Sequence, residues 1–200
     1  MSRREAEVKR ITRETKIELK LGLEGTGQYK IETGIPFLDH MLSLFARHGL
    51  FDLEIEAKGD LEVDIHHTNE DVGICLGEAV KKALGNKKGL KRFGFFSVPM
   101  DEVLARVVLD ISGRPSLHLR AEETPAPSLQ EDKGYGIEDA RQFLQAFVIN
   151  SGTNMHISVL QGGDAHHILE AIFKAWGKAL DEATQLDSRI KDIPSTKGAL

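Results

Sequence analysis

HHTNEDVGICLGEA, residues 66–79, and HHILEAIFKAWGKA, residues 166–179, are one pattern written twice. His66 and His166 stand 100 residues apart, and His67 with His167, Glu70 with Glu170, Gly77 with Gly177 and Ala79 with Ala179 keep that offset. Matches at a single offset imply an internal duplication. The period is too long for a solenoid, whose units run about 20–50 residues. Each copy reads as the opening of a helix that follows a strand.

The segments around the first copy alternate. LEVDI (61–65) reads as a short strand entered through a Gly59-Asp60 turn. Before it, Phe51, Leu53, Ile55 and Ala57 of FDLEIEAK alternate with charged residues, and Ile17, Leu19, Leu21 and Leu23 do the same in TKIELKLGL (15–23). Period two with one apolar face is the mark of a half-buried strand. Between these strands, Phe37, Leu38, Met41, Leu42 and Phe45 form a helical stripe in GIPFLDHMLSLFARHG (34–49), with Gly49 as its expected stop. The helix opened by the first histidine pair is expected to stop near Gly85-Asn86.

The second copy has a similar setting. EVLARVVLDI (102–111) and PSLHLRA (115–121) read as strands around a Ser112-Gly113 turn. TPAPSLQEDKGYG (124–136) reads as a loop, IEDARQFLQAFVIN (137–150) as a helix and MHISVL (155–160) as a strand. DIPSTKGAL (192–200) has no period. The expectation is an α+β fold built by internal duplication. Residues 1–92 form one half-repeat, and 93–200 the other with a C-terminal tail. Each half is a mostly antiparallel sheet with helices packed on one face, and the two make one compact domain.

Composition narrows the function. The 200 residues are 40% hydrophobic and 28% charged, ordinary for a globular protein. No apolar run approaches the roughly 18–20 residues of a membrane span, and MSRREAEVKR lacks the apolar core of a secretory signal. One cysteine, Cys75, cannot pair within the chain, which points to a reducing, cytoplasmic compartment. A net charge of −5 weighs against nucleic acid as a partner, and no membrane partner is expected.

Eight histidines are many for this length. On a helix, His66 lies four residues and His67 three residues before Glu70, so either can meet the carboxylate across a turn. The two rings point about 100° apart, given ~3.6 residues per turn. Adjacent histidines therefore suit two different cations rather than one. The same holds for His166, His167 and Glu170. His40, on the polar side of the first helix, and His156, on the strand face opposite Met155 and Ile157, complete a set of six histidines and two glutamates. Shared between two cations, that is three histidines and one glutamate each. An octahedral ion would keep two positions open, as a catalytic site requires. HExxH is absent, which disfavours a zinc protease. His118 shows no sequence partner.

The stretches TGIPFLDHMLSLFARHGLFDL, GDLEVDIHHTNEDVGICLGEA, RFGFFSVPMDE, VVLDISGRP, NMHISVLQGGDAHHILEAIFKAWGKAL and PSTKG resemble the imidazoleglycerol-phosphate dehydratase family of histidine biosynthesis, with a span from Glu14 to Gly198. The resemblance implies two duplicated sheet-and-helix halves. It implies two manganese ions (Mn²⁺) per active site, held between subunits, and trimers assembled into a 24-mer. It implies that His40, His66, His67, Glu70, His156, His166, His167 and Glu170 are the metal ligands. Glu14 matches the family's acid/base, and Glu70 and Glu170 join it as expected catalytic carboxylates. Arg92, Arg114, Lys174, Ser195, Thr196 and Lys197 match phosphate contacts, and His48 a substrate contact. No phosphatase-like segment precedes the match, as in the single-function form.

The implied reaction explains why such a set is needed. The substrate, D-erythro-imidazole glycerol phosphate, loses water to give imidazole acetol phosphate. No carbonyl acidifies the C–H bond that breaks, so the ring must supply electrons. Two cations, one on each ring nitrogen, would stabilise an imidazolate able to expel the neighbouring hydroxyl. Arginine forks and lysine point charges suit the phosphate. Two other classes fit parts of the pattern: a metal-dependent assembly or storage protein, and a metallohydrolase of a phosphorylated metabolite. Storage alone needs no cationic clamp.

Overall fold

The computed structural model describes residues 4–120 and 134–200. Its elements run β1 (Glu5–Ile11), β2 (Thr15–Gly22), β3 (Tyr29–Glu32), α1 (Pro36–Gly49), β4 (Asp52–Gly59) and α2 (His66–Leu84). Then the same order recurs as β5 (Phe93–Met100), β6 (Val103–Asp110), β7 (Ser116–Arg120), α3 (Ile137–Ser151), β8 (Asn154–Gln161) and α4 (Ala165–Thr184). Two four-stranded sheets form, ordered β1-β2-β4-β3 and β5-β6-β8-β7. Within each, the first two pairings are antiparallel and the last is parallel. The fold is the duplicated α+β plan read from the repeat.

Alternation decides which face of each sheet is covered. Ile17, Leu19 and Leu21 of β2 are buried, as are Ala105, Val107 and Leu109 of β6. Helix α2 covers the first sheet and α4 the second, while α1 packs on α4 and α2 on α3. The helices of the two halves therefore meet at the centre and leave the far face of each sheet outward. Trp176, fully buried, sits at that meeting point: its ring centroid lies 4.0 Å from Phe45 of α1 and 4.7 Å from Phe147 of α3. Truncating such a side chain typically costs about 3–5 kcal/mol.

The repeated Gly-x-Ala has its explanation here. A Cβ on Gly77 would lie 2.6 Å from the carbonyl oxygen of Phe147, and one on Gly177 would lie 2.5 Å from that of Phe45. Both glycines let a helix backbone of one half touch a helix backbone of the other. Helix α1 ends at Gly49, as expected. Gly49 is helical and faces the backbone of Gly177, and Leu50 takes the left-handed cap with φ 57°. That conformation costs a non-glycine residue roughly 1 kcal/mol.

Three strands escape the alternation rule, and one alternating segment is not a strand. Strand β1 fully buries only Val8 and leaves four of its seven residues exposed, β3 has four residues, and the run Phe93-Gly94-Phe95-Phe96 breaks the period in β5. LEVDI (61–65) folds as a turn, closed by Val63 N–H donating to Asp60 O at 2.8 Å. Strand β4 is already paired on both sides, with β2 and β3, so no edge is open to it. The loop expected at 124–136 lies outside the described residues up to position 133.

Candidate active site

Each histidine pair opens a helix. The His66 N–H donates to Asp64 Oδ1 and the His166 N–H to Asp164 Oδ1, both at 2.9 Å, so an aspartate two residues earlier caps each start. Side by side on a first turn, the rings diverge: His66 and His67 centroids lie 6.3 Å apart at 71°, and His166 and His167 lie 6.2 Å apart at 77°. The two pairs share one end of the molecule. Phe37 touches His166 and stacks on Tyr135, and the Tyr135 hydroxyl donates to Asn69 of α2. This aromatic pair separates the two clusters.

The cluster at α4 joins both halves of the chain. His40 Nε2 lies 2.8 Å and His166 Nε2 3.1 Å from Glu170 Oε1, while the Lys174 ammonium donates to Oε2 at 2.6 Å. Donor atoms of His40, His166 and Glu170 fall within 4.8 Å of one another. Glu170 is 8% exposed. Burial alone would raise its pKa, but Lys174 and His40 outweigh it and hold the carboxyl at about 2. His167 turns the other way, with Nδ1 3.2 and 3.0 Å from the two carboxylate oxygens of Glu102. Asp101, Glu102 and His167 form a second close donor group. The backbone N–H groups of Asp164 and of Glu102 itself, and then the hydrogen bond from His167, hold Glu102 at about 2.

The cluster at α2 is built differently. His66 Nδ1 is 2.6 Å from Gln142 Oε1 on α3, and its Nε2 is 3.8 Å from Glu70. Gln142 is to α2 what His40 is to α4. His67 Nδ1 lies 3.1 Å from each carboxylate oxygen of Asp60, a contact that raises its pKa. Glu14 stands in the β1–β2 turn beside it, and its carbonyl accepts the Asp60 N–H at 3.2 Å. That turn is fixed from below. Thr12 Oγ1 accepts the Glu14 and Thr15 N–H groups, and Thr15 Oγ1 donates to the buried Asp71 carboxylate at 2.5 Å.

His156 lies elsewhere. It projects from the outer face of β8, whose inner residues Met155 and Ile157 are buried toward the helices. Its ring stacks on His118, 4.3 Å between centroids, so His118 does have a partner. Burial, His118 and Arg120 lower the His156 pKa. One chain therefore cannot place His156 in the helix-borne clusters.

The expected phosphate contacts divide in the same way. His48 faces the Lys174 end of α4, and burial, Lys174, Lys178 and Arg47 lower its pKa. Lys174 also reaches Met100, the last residue of β5, whereas Arg92 precedes the first. Eight residues at ~3.3 Å each separate them by more than 20 Å. Arg92 is gripped by Asp110 at 2.7 and 3.0 Å and donates to Pro194 O at 2.7 Å. It thus anchors the tail, where Ser195, Thr196 and Lys197 form a turn closed by Gly198 N–H to Ser195 O. The tail end, Leu200, packs against Gly113, next to the exposed Arg114. So Arg92, Arg114 and the tail gather at one place, with His48 and Lys174 at another.

Asp60, Glu102 and Gln142 were invisible to spacing rules, since single polar residues at strand ends and on a helix carry no period. The Asp64 and Asp164 caps did carry a signal, the same 100-residue offset as the histidines.

The family model described as imidazoleglycerol-phosphate dehydratase matches residues 33–180. The imidazoleglycerol-phosphate dehydratase of Caldanaerobacter subterraneus subsp. tengcongensis is 58% identical over 198 residues, covering 98% of this chain and 100% of the relative. That of Geobacter sulfurreducens is 53% identical over 197 residues, 98% of this chain and 99% of the relative. The crystal structure of the Pyrococcus furiosus protein in complex with (S)-C348 superposes with a TM-score of 0.82 at 34% identity, over 96% of this chain and all of that one. The Staphylococcus aureus structure gives 0.79 at 37% identity, over 92% and 99%.

Proposed function

The chain belongs to the imidazoleglycerol-phosphate dehydratase family, hydro-lyases of histidine biosynthesis, and from that premise we propose a two-manganese dehydration carried out between subunits. The substrate is D-erythro-imidazole glycerol phosphate and the product imidazole acetol phosphate. The observation that carries this reading is the pairing of two imidazole–carboxylate clusters at one end of the molecule with Glu14 beside one of them.

The donor set fits manganese. Carboxylate oxygens suit manganese, ring nitrogens are ligands for first-row divalent ions in general, and no thiolate competes, since the one cysteine is buried. His40, His66, His67, Glu70, His156, His166, His167 and Glu170 would hold the two ions. Bound there, the ions would supply the positive charge that lets the substrate ring lose its N–H proton and act as the electron source.

The chain's own groups do the rest. The hydroxyl on the ring-bound carbon leaves as water with the proton that the ring N–H gives up, and the Glu14 carboxylate takes the proton from the carbon bearing the second hydroxyl and returns it to the ring. The enol so formed becomes the ketone. The turn that carries Glu14 is pinned to α2 through Thr15 and Asp71, which supports this role. Lys174 offers a cationic contact and His48 a polar one near one cluster, and Arg114 and Lys197 offer cationic contacts, with the Ser195 and Thr196 hydroxyls, near the tail.

A second copy of the chain completes the site in this reading. His156 sits in a cross-strand row, Phe95–Val108–His156–His118, on the outer face of the second sheet. Phe95 is 59% and Val108 39% exposed. An apolar row carrying a needed ligand is what a subunit contact would cover, and this supports the trimer-based 24-mer. The test is ketone formation by purified protein after exhaustive chelation, then with added Mn²⁺. The reading expects turnover lost and then restored; undiminished turnover in the chelated enzyme contradicts it.

A further inference from the structure

Two of the candidate ligand rings are held from behind by a carboxylate. His67 Nδ1 lies 3.1 Å from both oxygens of Asp60, and His167 Nδ1 lies 3.2 and 3.0 Å from both oxygens of Glu102. An ionised carboxylate can only accept, so each contact requires the proton on Nδ1. The lone pair of the neutral ring is then on Nε2, the atom directed away from the support.

Duplication does not account for the match. Asp60 follows β4 in the same half as His67, whereas Glu102 comes from the β5–β6 turn. At a 100-residue offset the two are not equivalents. Two unrelated places in the chain deliver the same contact to equivalent histidines. Both residues are themselves fixed. The Asp60 N–H donates to Glu14 O at 3.2 Å, and Glu102 Oε1 accepts the Asp164 N–H at 2.8 Å, tying it to the cap of α4.

We propose that Asp60 and Glu102 are positioning residues that fix the tautomer and ring direction of His67 and His167, so that each presents Nε2 to a divalent cation. Neither carboxylate is itself a ligand. A ligating histidine so supported is aimed before the metal arrives, and loss of such support typically costs 10–100-fold in affinity. The proposal rests on the two-metal reading above.

The experiment measures Mn²⁺ affinity and stoichiometry on the intact assembly, from the electron paramagnetic resonance signal of free Mn²⁺ during titration. Parent, Asp60→Ala, Glu102→Ala, and the isosteric Asp60→Asn and Glu102→Gln are compared, with Asp192→Asn as a remote control. Each alanine variant is expected to bind the same number of ions about 10–100-fold more weakly. The amide variants, whose carbonyl oxygen can still accept from Nδ1, are expected to recover part of that loss. Parent affinity in the alanine variants overturns the proposal. So does an ion missing from the Glu102→Gln stoichiometry, which would make Glu102 a ligand; this variant preserves the shape of the side chain, which alanine does not. A parent that binds no Mn²⁺ overturns the two-metal reading itself, a result distinct from both.

Discussion

Glu170 Oε1 lies 2.8 Å from Nε2 of His40, although 130 residues separate the two in the chain. Helices α1 and α4, one from each half, cross so closely that this contact is a consequence of the duplication. His40→Ala removes the first half's share of the cluster. It is expected to lower kcat/KM by more than about 100-fold, beyond the range seen when only a supporting group is lost. Mn²⁺ binding, followed by calorimetry, should weaken in parallel.

Glu14 reaches the site through its turn and is absent from both close donor groups. Glu14→Gln should therefore leave Mn²⁺ affinity unchanged while kcat falls by about 10²–10⁴-fold, the usual contribution of a positioned acid or base. Steady-state turnover and metal titration on one preparation separate the two effects.

Gly177→Ala sets two forces against each other. In an exposed helix the change gains up to about 1 kcal/mol. Here the new Cβ would stand 2.5 Å from the Phe45 carbonyl oxygen. Overpacking of this kind costs about 1–3 kcal/mol, so the variant is expected to be less stable, with a lower Tm by scanning calorimetry. Gly77→Ala should behave alike at the α2–α3 crossing.

His48 has a folded-state pKa pushed down by burial and by Lys174, Lys178 and Arg47. The unfolded chain then takes up this proton first, near pH 6.5. Stability from the neutral ring is present above that pH and is lost as the pH falls below it. His48→Asn is expected to show a smaller drop in Tm between pH 7 and pH 5 than the parent. An equal drop in both would remove His48 from this account.

Much of the architecture was legible because one-sided burial leaves a period. Ile17, Leu19 and Leu21 mark β2, Ala105, Val107 and Leu109 mark β6, and the stripe from Phe37 to Phe45 marks α1. Three of the four edge strands were not legible. Strands β1, β3 and β5 bury too little of one face to stand out in the sequence, and Leu61–Ile65 alternates directly after β4, a strand already paired on both sides. The site shows the same division. Histidine pairs with glutamates at helical spacing stand out in a sequence, and their gathering around His40 follows from helix packing. Asp60, Glu102 and Gln142 come from loops and a facing helix, where only three-dimensional contact reveals them. His156 was legible as an outward-facing residue, yet its place on the far side of a sheet is visible only once the strands are paired.

The most direct test of the account is an anomalous-scattering map, recorded at the manganese edge from crystals of the active, Mn²⁺-restored enzyme. Two peaks per chain are predicted, at the clusters opened by His66-His67 and His166-His167, with His156 of a neighbouring copy completing the ligand set. Active crystals with neither cluster occupied would contradict it.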